Sequence, residues 1–105
     1  MDFREICDKV FQNAQDYGKK YHVLIDQDFA LLKLYEEVGE YAQMVLVHRK
    51  KSRPEKHLAE TESKKLLAHE LADIIGMVIV NAALFDIDLE QALKDKWLEK
   101  RTENK

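Results

Sequence analysis

The sequence predicts an all-α fold on three observations. Apolar residues recur at helical spacing over long stretches, helix-favouring Leu, Ala, Glu and Lys abound, and 105 residues contain only three glycines and one proline to make the turns a sheet would need. The expected arrangement is a helical bundle, with two central antiparallel helices carrying an acidic site and with oligomerisation completing it. Residues 1–105 are expected to form a single domain, a size at which about two thirds of the unfolded chain's surface is buried.

The first helix follows from Phe3, Ile6, Cys7, Val10, Phe11, Ala14 and Tyr17, which advance by threes and fours along one stripe. Asp2 is suited to cap its start and Gly18 to end it. Residues 19–27 are polar and without period, and Asp28 is a fair cap for a second helix running to about His48. Its stripe of Leu31, Tyr35, Val38, Ala42 and Val45 is joined by Leu34, Tyr41, Met44 and Val47 around most of the circumference, the pattern of a helix in the middle of a bundle.

Residues 49–63 hold Ser52, Pro54 and many charges without sustained period, and read as a long, mobile connection. A third helix is expected from about Glu62 to Phe85. Its second half, 74–85, is apolar except at Asn81 and, being shorter than the roughly 20 residues that span a bilayer, reads as a core helix. Asp88 followed by Gln91 resembles a capping box, and Leu89, Leu93 and Trp97 then give a short fourth helix, followed by a charged tail.

Charge and cysteine content narrow the function. A net charge of −3 with intermixed signs offers no field for a nucleic-acid polymer or an anionic membrane. The single cysteine, Cys7, sits on an apolar face and reads as a buried structural thiol. The N-terminal residues lack the charged and apolar regions of a secretory signal, so a cytoplasmic location is expected.

The chemistry-bearing feature is acidic. Glu37 and Glu40 lie three apart, as do Glu70 and Asp73, and each pair shares a helix face embedded in an apolar stripe. Ionised carboxylates are costly to bury without a compensating cation, and Lys33 alone cannot balance four of them. If the pairs face each other, an all-oxygen ligand set selects Mg²⁺, with Mn²⁺ as a substitute, over zinc. Such a cation suits phosphoryl chemistry on a nucleotide. A solvated acidic face paired with nearby lysines satisfies the same spacing.

Glu36-Glu37-Val38-Gly39-Glu40, followed by Glu70-Leu71-Ala72-Asp73, resembles the EExGE and ExxD motifs of the MazG-like all-α nucleoside triphosphate pyrophosphohydrolases. Leu32-Lys33-Leu34 before the first motif, and the run from Ile87 to Leu93 leading into the last helix, extend the similarity over residues 28–100. The resemblance implies hydrolysis of a ribo- or deoxyribonucleoside triphosphate between its α and β phosphates, giving a monophosphate and pyrophosphate. It implies Mg²⁺ held by Glu37, Glu40, Glu70 and Asp73, with a metal-activated water attacking the α phosphorus and Glu36 or Glu40 taking its proton. Lys96 falls where the family often has a basic residue and, with Lys100 or Arg101, is a candidate for phosphate binding; a solvated helix end is the favoured reading of a lysine in that position. Asn81 is a candidate for base or ribose contact, or for a core or subunit contact.

The chain departs from the family in a long gap between Glu40 and Glu70, in His69 where another acid is common, and in Asp86 where the exit turn usually has Gly. Arg49, Lys50, Lys51 and Arg53 in the gap are candidates for a phosphate-facing lid, against a plain solvated loop. Other chemistries fit less well. The segment from His69 to Asp73 lacks the second histidine of a zinc protease helix, no Glu-x-x-His pair supports a di-iron bundle, and His22, His48 and His57 lack metal spacing and read as surface residues. The alternatives carried forward are a phosphoribosyl-ATP pyrophosphohydrolase and a non-catalytic helical oligomerisation or regulatory module. In each case two nearly all-round apolar helices call for a homodimer or homotetramer.

Overall fold

The computed structural model describes residues 1–99 and is all-helical, with no strand among them. The helices are α1 (Phe3–Tyr21), α2 (Gln27–His48), α3 (Glu60–Leu84) and the short α4 (Leu89–Leu93), with a 3₁₀ turn at Pro54–Lys56 and a π turn at Lys94–Leu98. Two compact units are distinguished. One contains, of the described residues, Met1–Gln27 and 79–99, and the other is Asp28–Val78, so the boundary falls within α3.

In the first unit, α1 begins with a full capping box. The Glu5 N–H donates to Asp2 Oδ1 at 2.9 Å and the Asp2 N–H donates to Glu5 Oε1 at 3.3 Å. The helix does not end at Gly18, as its sequence suggests, but continues a turn further to Tyr21. Gly18 is buried because the chain folds back onto it: a Cβ there would lie 2.7 Å from the Val23 carbonyl oxygen and 2.7 Å from Ile25 Cγ1. Its role is close approach rather than chain reversal. Arg4 ties α1 to the α4 region, its Nη2 2.7 Å from Asp88 Oδ2 and its Nε 2.6 Å from Glu90 Oε1. Cys7 is half-buried, and burial, followed by the nearby carboxylates of Asp8, Glu90 and Asp88, pushes its thiol pKa up, as fits an unreactive thiol.

Reversal is assigned instead to His22, Lys50 and Asp86, the three non-glycine residues with left-handed backbone among the described residues, at φ 57°, 56° and 57°. The 6→1 and 5→2 hydrogen bonds of a Schellman turn close α2 around Lys50, from Lys51 N–H to Leu46 O at 2.8 Å and from Lys50 N–H to Val47 O at 3.1 Å. They recur around Asp86, from Ile87 N–H to Ala82 O at 2.8 Å and from Asp86 N–H to Ala83 O at 3.0 Å. Asp88 then caps α4, accepting from the Gln91 N–H at 3.0 Å. The reciprocal half of the expected capping box is replaced by a bond from the Gln91 side chain to Asp95, at 2.9 Å.

Helix α2 starts at Gln27, two residues before the start that a cap at Asp28 would give, with Asp28 inside its first turn, and ends at His48 in the unit Asp28–Val78. The connection is shorter and more ordered than the sequence suggests. His57 Nε2 lies 3.1 Å from the Ser52 carbonyl, the 3₁₀ turn follows Arg53, and α3 begins at Glu60. Ser63, expected in the loop, lies within α3 and is 0% exposed, with its Oγ donating to the Glu60 carbonyl at 3.1 Å and standing 2.7 Å from His48 Nδ1. His48 and His57 are therefore half-buried and engaged rather than surface residues.

Among the described residues, the apolar positions of α2 and α3 are largely exposed rather than enclosed as in a central helix. Buried apolar residues are Ala30, Ile79, Val80 and Ala82, while Leu32 (67%), Tyr35 (71%), Leu71 and Ile75 are exposed. With its N-terminal half included, α3 is long and apolar enough to cross a bilayer by length and composition alone, and 17% of that stretch is buried. Core helices of soluble proteins pass the same test of length and composition.

Candidate functional site

Residues 36–40 lie in the middle of α2, where helical geometry brings positions three and four apart onto one face. Glu36, Glu37 and Glu40 each present a carboxylate oxygen, and the three oxygens lie within 4.8 Å of one another. Lys33, one turn earlier, pairs with Glu36. It leaves the cluster with more negative charge than positive.

Glu70 and Asp73, on α3, stand outside that triplet but within electrostatic reach of it. Burial first, then the charges of Asp73 and Glu40, hold the Glu37 carboxyl above the usual range, with Lys33 pulling the other way and Glu70 adding a smaller upward push. Glu70 is raised by burial and then by Glu40 and Asp73, while His69 opposes. Mutual repulsion of this kind marks carboxylates gathered beyond what local cations offset. The donor set is all carboxylate oxygen, so its chemistry fits a hard divalent cation such as Mg²⁺ or Mn²⁺. Glu37, Glu40, Glu70 and Asp73 are thus electrostatically linked, and Glu36 joins Glu37 and Glu40 at the closest point.

A cleft of about 1060 Å³ opens beside the cluster within the same unit. Glu36, Glu40, Glu70 and His69 contribute charged or titratable lining, and Met44, Leu46, Val47 and Leu66 contribute apolar surface. Arg53, Lys56 and Ser52 from the connection complete it with Gly39 and Gln43 of α2. Of the basic residues singled out in the connection, Arg53 lines the cleft, whereas Lys50 turns to donate to the Leu58 carbonyl at 3.0 Å. Lys56 was missed by sequence reasoning. The signal was Pro54, which opens a tight turn between Arg53 and Lys56, both of which line the cleft.

The remaining candidates belong to the other unit, where Asn81 is half-buried on α3 and Lys96 is exposed in the π turn. Lys100 and Arg101 lie outside the described residues. Comparison with protein-family models, curated proteins and solved structures finds no match to the chain.

Proposed function

We propose that this chain is a Mg²⁺-dependent nucleoside triphosphate pyrophosphohydrolase of the MazG-like kind, converting (d)NTP to (d)NMP and pyrophosphate. The observation that carries this reading is the convergence of the Glu36, Glu37 and Glu40 oxygens within 4.8 Å, on the segment whose sequence resembles the EExGE motif. Support comes from Glu70 and Asp73, whose charges help to hold Glu37 above its ordinary range.

In this reading α2 and the first part of α3 form the central antiparallel pair, and Glu37, Glu40, Glu70 and Asp73 hold the cation. When bound, Mg²⁺ supplies charge neutralisation for phosphate oxygens and lowers the pKa of a coordinated water. Glu36 or Glu40 accepts a proton from the water that attacks the α phosphorus. Lys33, the candidate substrate-binding residue nearest the acids, restrains Glu36 through their ion pair.

The apolar residues exposed on α2 and α3 favour a homodimer, or a dimer of dimers, in which a second copy covers Leu32, Tyr35, Leu71 and Ile75. The enzyme is read as cytoplasmic, acting on a free nucleotide rather than on a nucleic-acid polymer or a membrane. The same exposed faces also fit a non-catalytic assembly module, for which the acids would be dispensable.

The deciding experiment is turnover of a panel of ribo- and deoxyribonucleoside triphosphates together with phosphoribosyl-ATP, with Mg²⁺ present or chelated. Wild type, Glu37→Ala and Asp73→Ala are compared. Mg²⁺-dependent pyrophosphate release lost in both variants supports the assignment. Activity confined to phosphoribosyl-ATP moves it to that enzyme, and no turnover with any substrate leaves the assembly module.

A further inference from the structure

The cleft beside the acidic cluster is lined by both signs of charge, an arrangement that neither a solvated acidic face nor a bare cation site requires. Glu36, Glu40 and Glu70 contribute its acidic lining, and Arg53 and Lys56 its basic lining. We propose that Arg53 and Lys56 form an anion-binding arm that takes the distal phosphates of the nucleoside triphosphate while the α phosphate lies at the carboxylates. This inference rests on the pyrophosphohydrolase reading and adds to it a role for the long segment between the two acidic motifs.

Three observations support it. The arm is built rather than loose: Pro54 opens the 3₁₀ turn, the Lys56 N–H donates to the Arg53 carbonyl at 2.8 Å and the His57 N–H to the Pro54 carbonyl at 3.0 Å. Arg53 immediately precedes the turn and Lys56 is its last residue, and both line the cleft, so the turn holds two cations close together along the chain.

The selection among basic residues is specific, because the cleft lining includes Arg53 and Lys56 but not Arg49, Lys50 or Lys51.

Arg53 is held by a contact to Glu55 at 3.3 Å between two largely exposed side chains. Such a surface pair contributes little and is readily exchanged for the forked hydrogen bonds that a guanidinium makes to phosphate. The volume of about 1060 Å³ is sufficient for a nucleotide, against about 300–1,000 Å³ for common ligand pockets.

The arm and the carboxylates have separable roles. With the acids uncompensated, the cleft repels a polyphosphate from one side. With a divalent cation on the acids, both sides attract it. Binding of a polyphosphate should therefore require Mg²⁺ and, separately, the arm.

The test is isothermal calorimetry of inorganic tripolyphosphate with the full chain, with and without Mg²⁺. Wild type is compared with Arg53→Glu/Lys56→Glu, with the milder Arg53→Gln/Lys56→Gln and with a control, Arg49→Glu/Lys51→Glu; helical content is checked by circular dichroism. The expected result is Mg²⁺-dependent binding by wild type and control, weakened at least about tenfold in both arm variants, the scale of losing charge-assisted contacts. Equal affinity in arm variants and wild type, or equal loss in arm variants and control, overturns the arm and leaves the pyrophosphohydrolase reading to its own turnover assay. Absence of tripolyphosphate binding in wild type overturns the arm as well, and when joined by absence of Mg²⁺-dependent turnover it overturns both.

Discussion

Asp73 on α3 acts on Glu37 on α2: after burial, its charge is the largest influence holding the Glu37 carboxyl above the ordinary glutamate range. Carboxylates brought together in this way destabilise the cation-free protein and create affinity for a cation, so stability and function should separate on mutation. Glu37→Gln is predicted to raise the melting temperature of the metal-free protein, because it removes a charge that its neighbours repel. The same substitution should abolish the rise in melting temperature that Mg²⁺ gives wild type and lower turnover by about 100-fold or more. Thermal melts in chelator and in Mg²⁺ check both effects, and a drop in metal-free stability would contradict the repulsion.

The pH dependence has two windows of opposite sign. Glu37 and Glu70 are raised in the folded chain, so between the ordinary glutamate value, about 4.3, and their raised values the folded state binds more protons than the unfolded state. Their contribution to stability is fully present below that window and is lost as pH rises through it. Asp88 is lowered, by the Gln91 N–H first and by Arg4 as well, so its contribution is present above the ordinary aspartate value, about 3.9, and is lost as pH falls below it. Melting temperature in chelator should therefore decline as pH rises above the ordinary glutamate value and through the raised values of Glu37 and Glu70. Glu37→Gln/Glu70→Gln should flatten that decline, and Arg4→Ala should act on the acid side.

Gly18 and Asp86 make a paired prediction, because the glycine lies inside a helix while the aspartate occupies a left-handed helix stop. Gly18→Ala forces a Cβ to within 2.7 Å of a backbone oxygen and of Ile25, and should destabilise by about 1–3 kcal/mol despite alanine's higher helix propensity. Asp86→Gly relieves a left-handed backbone at φ 57° and should stabilise by about 1 kcal/mol. Chemical denaturation of the two variants gives both signs.

Ser63→Ala leaves His48 Nδ1 without its partner at a site where Ser63 is 0% exposed, and should reduce stability by about 1–2 kcal/mol. An effect below about 0.5 kcal/mol would mean that this bond does not hold the end of α2 to the start of α3.

Helix identity was legible because periodicity and caps are local properties: Asp2 caps α1, α2 ends at His48 and Asp88 caps α4, as the residues imply. Helix stops were less legible, because the left-handed positions are occupied by His22, Lys50 and Asp86 while all three glycines lie inside helices. Spacing brought Glu37 together with Glu40, and Glu70 together with Asp73, but the place of Glu36 in the closest cluster depends on side-chain geometry. Lys56 entered the cleft through a turn whose bonds involve only the backbone, and the burial of Ser63 follows from a contact fifteen residues away. Neither leaves a periodic trace in the sequence.

The measurement that bears most directly on the central claim is hydrolysis of a nucleoside triphosphate in oxygen-18 water with Mg²⁺, followed by mass analysis of the products. Attack at the α phosphorus predicts one labelled oxygen in the nucleoside monophosphate and none in the pyrophosphate, with both products absent for Glu37→Ala. Label in released orthophosphate, or turnover undiminished in Glu37→Ala, would contradict it.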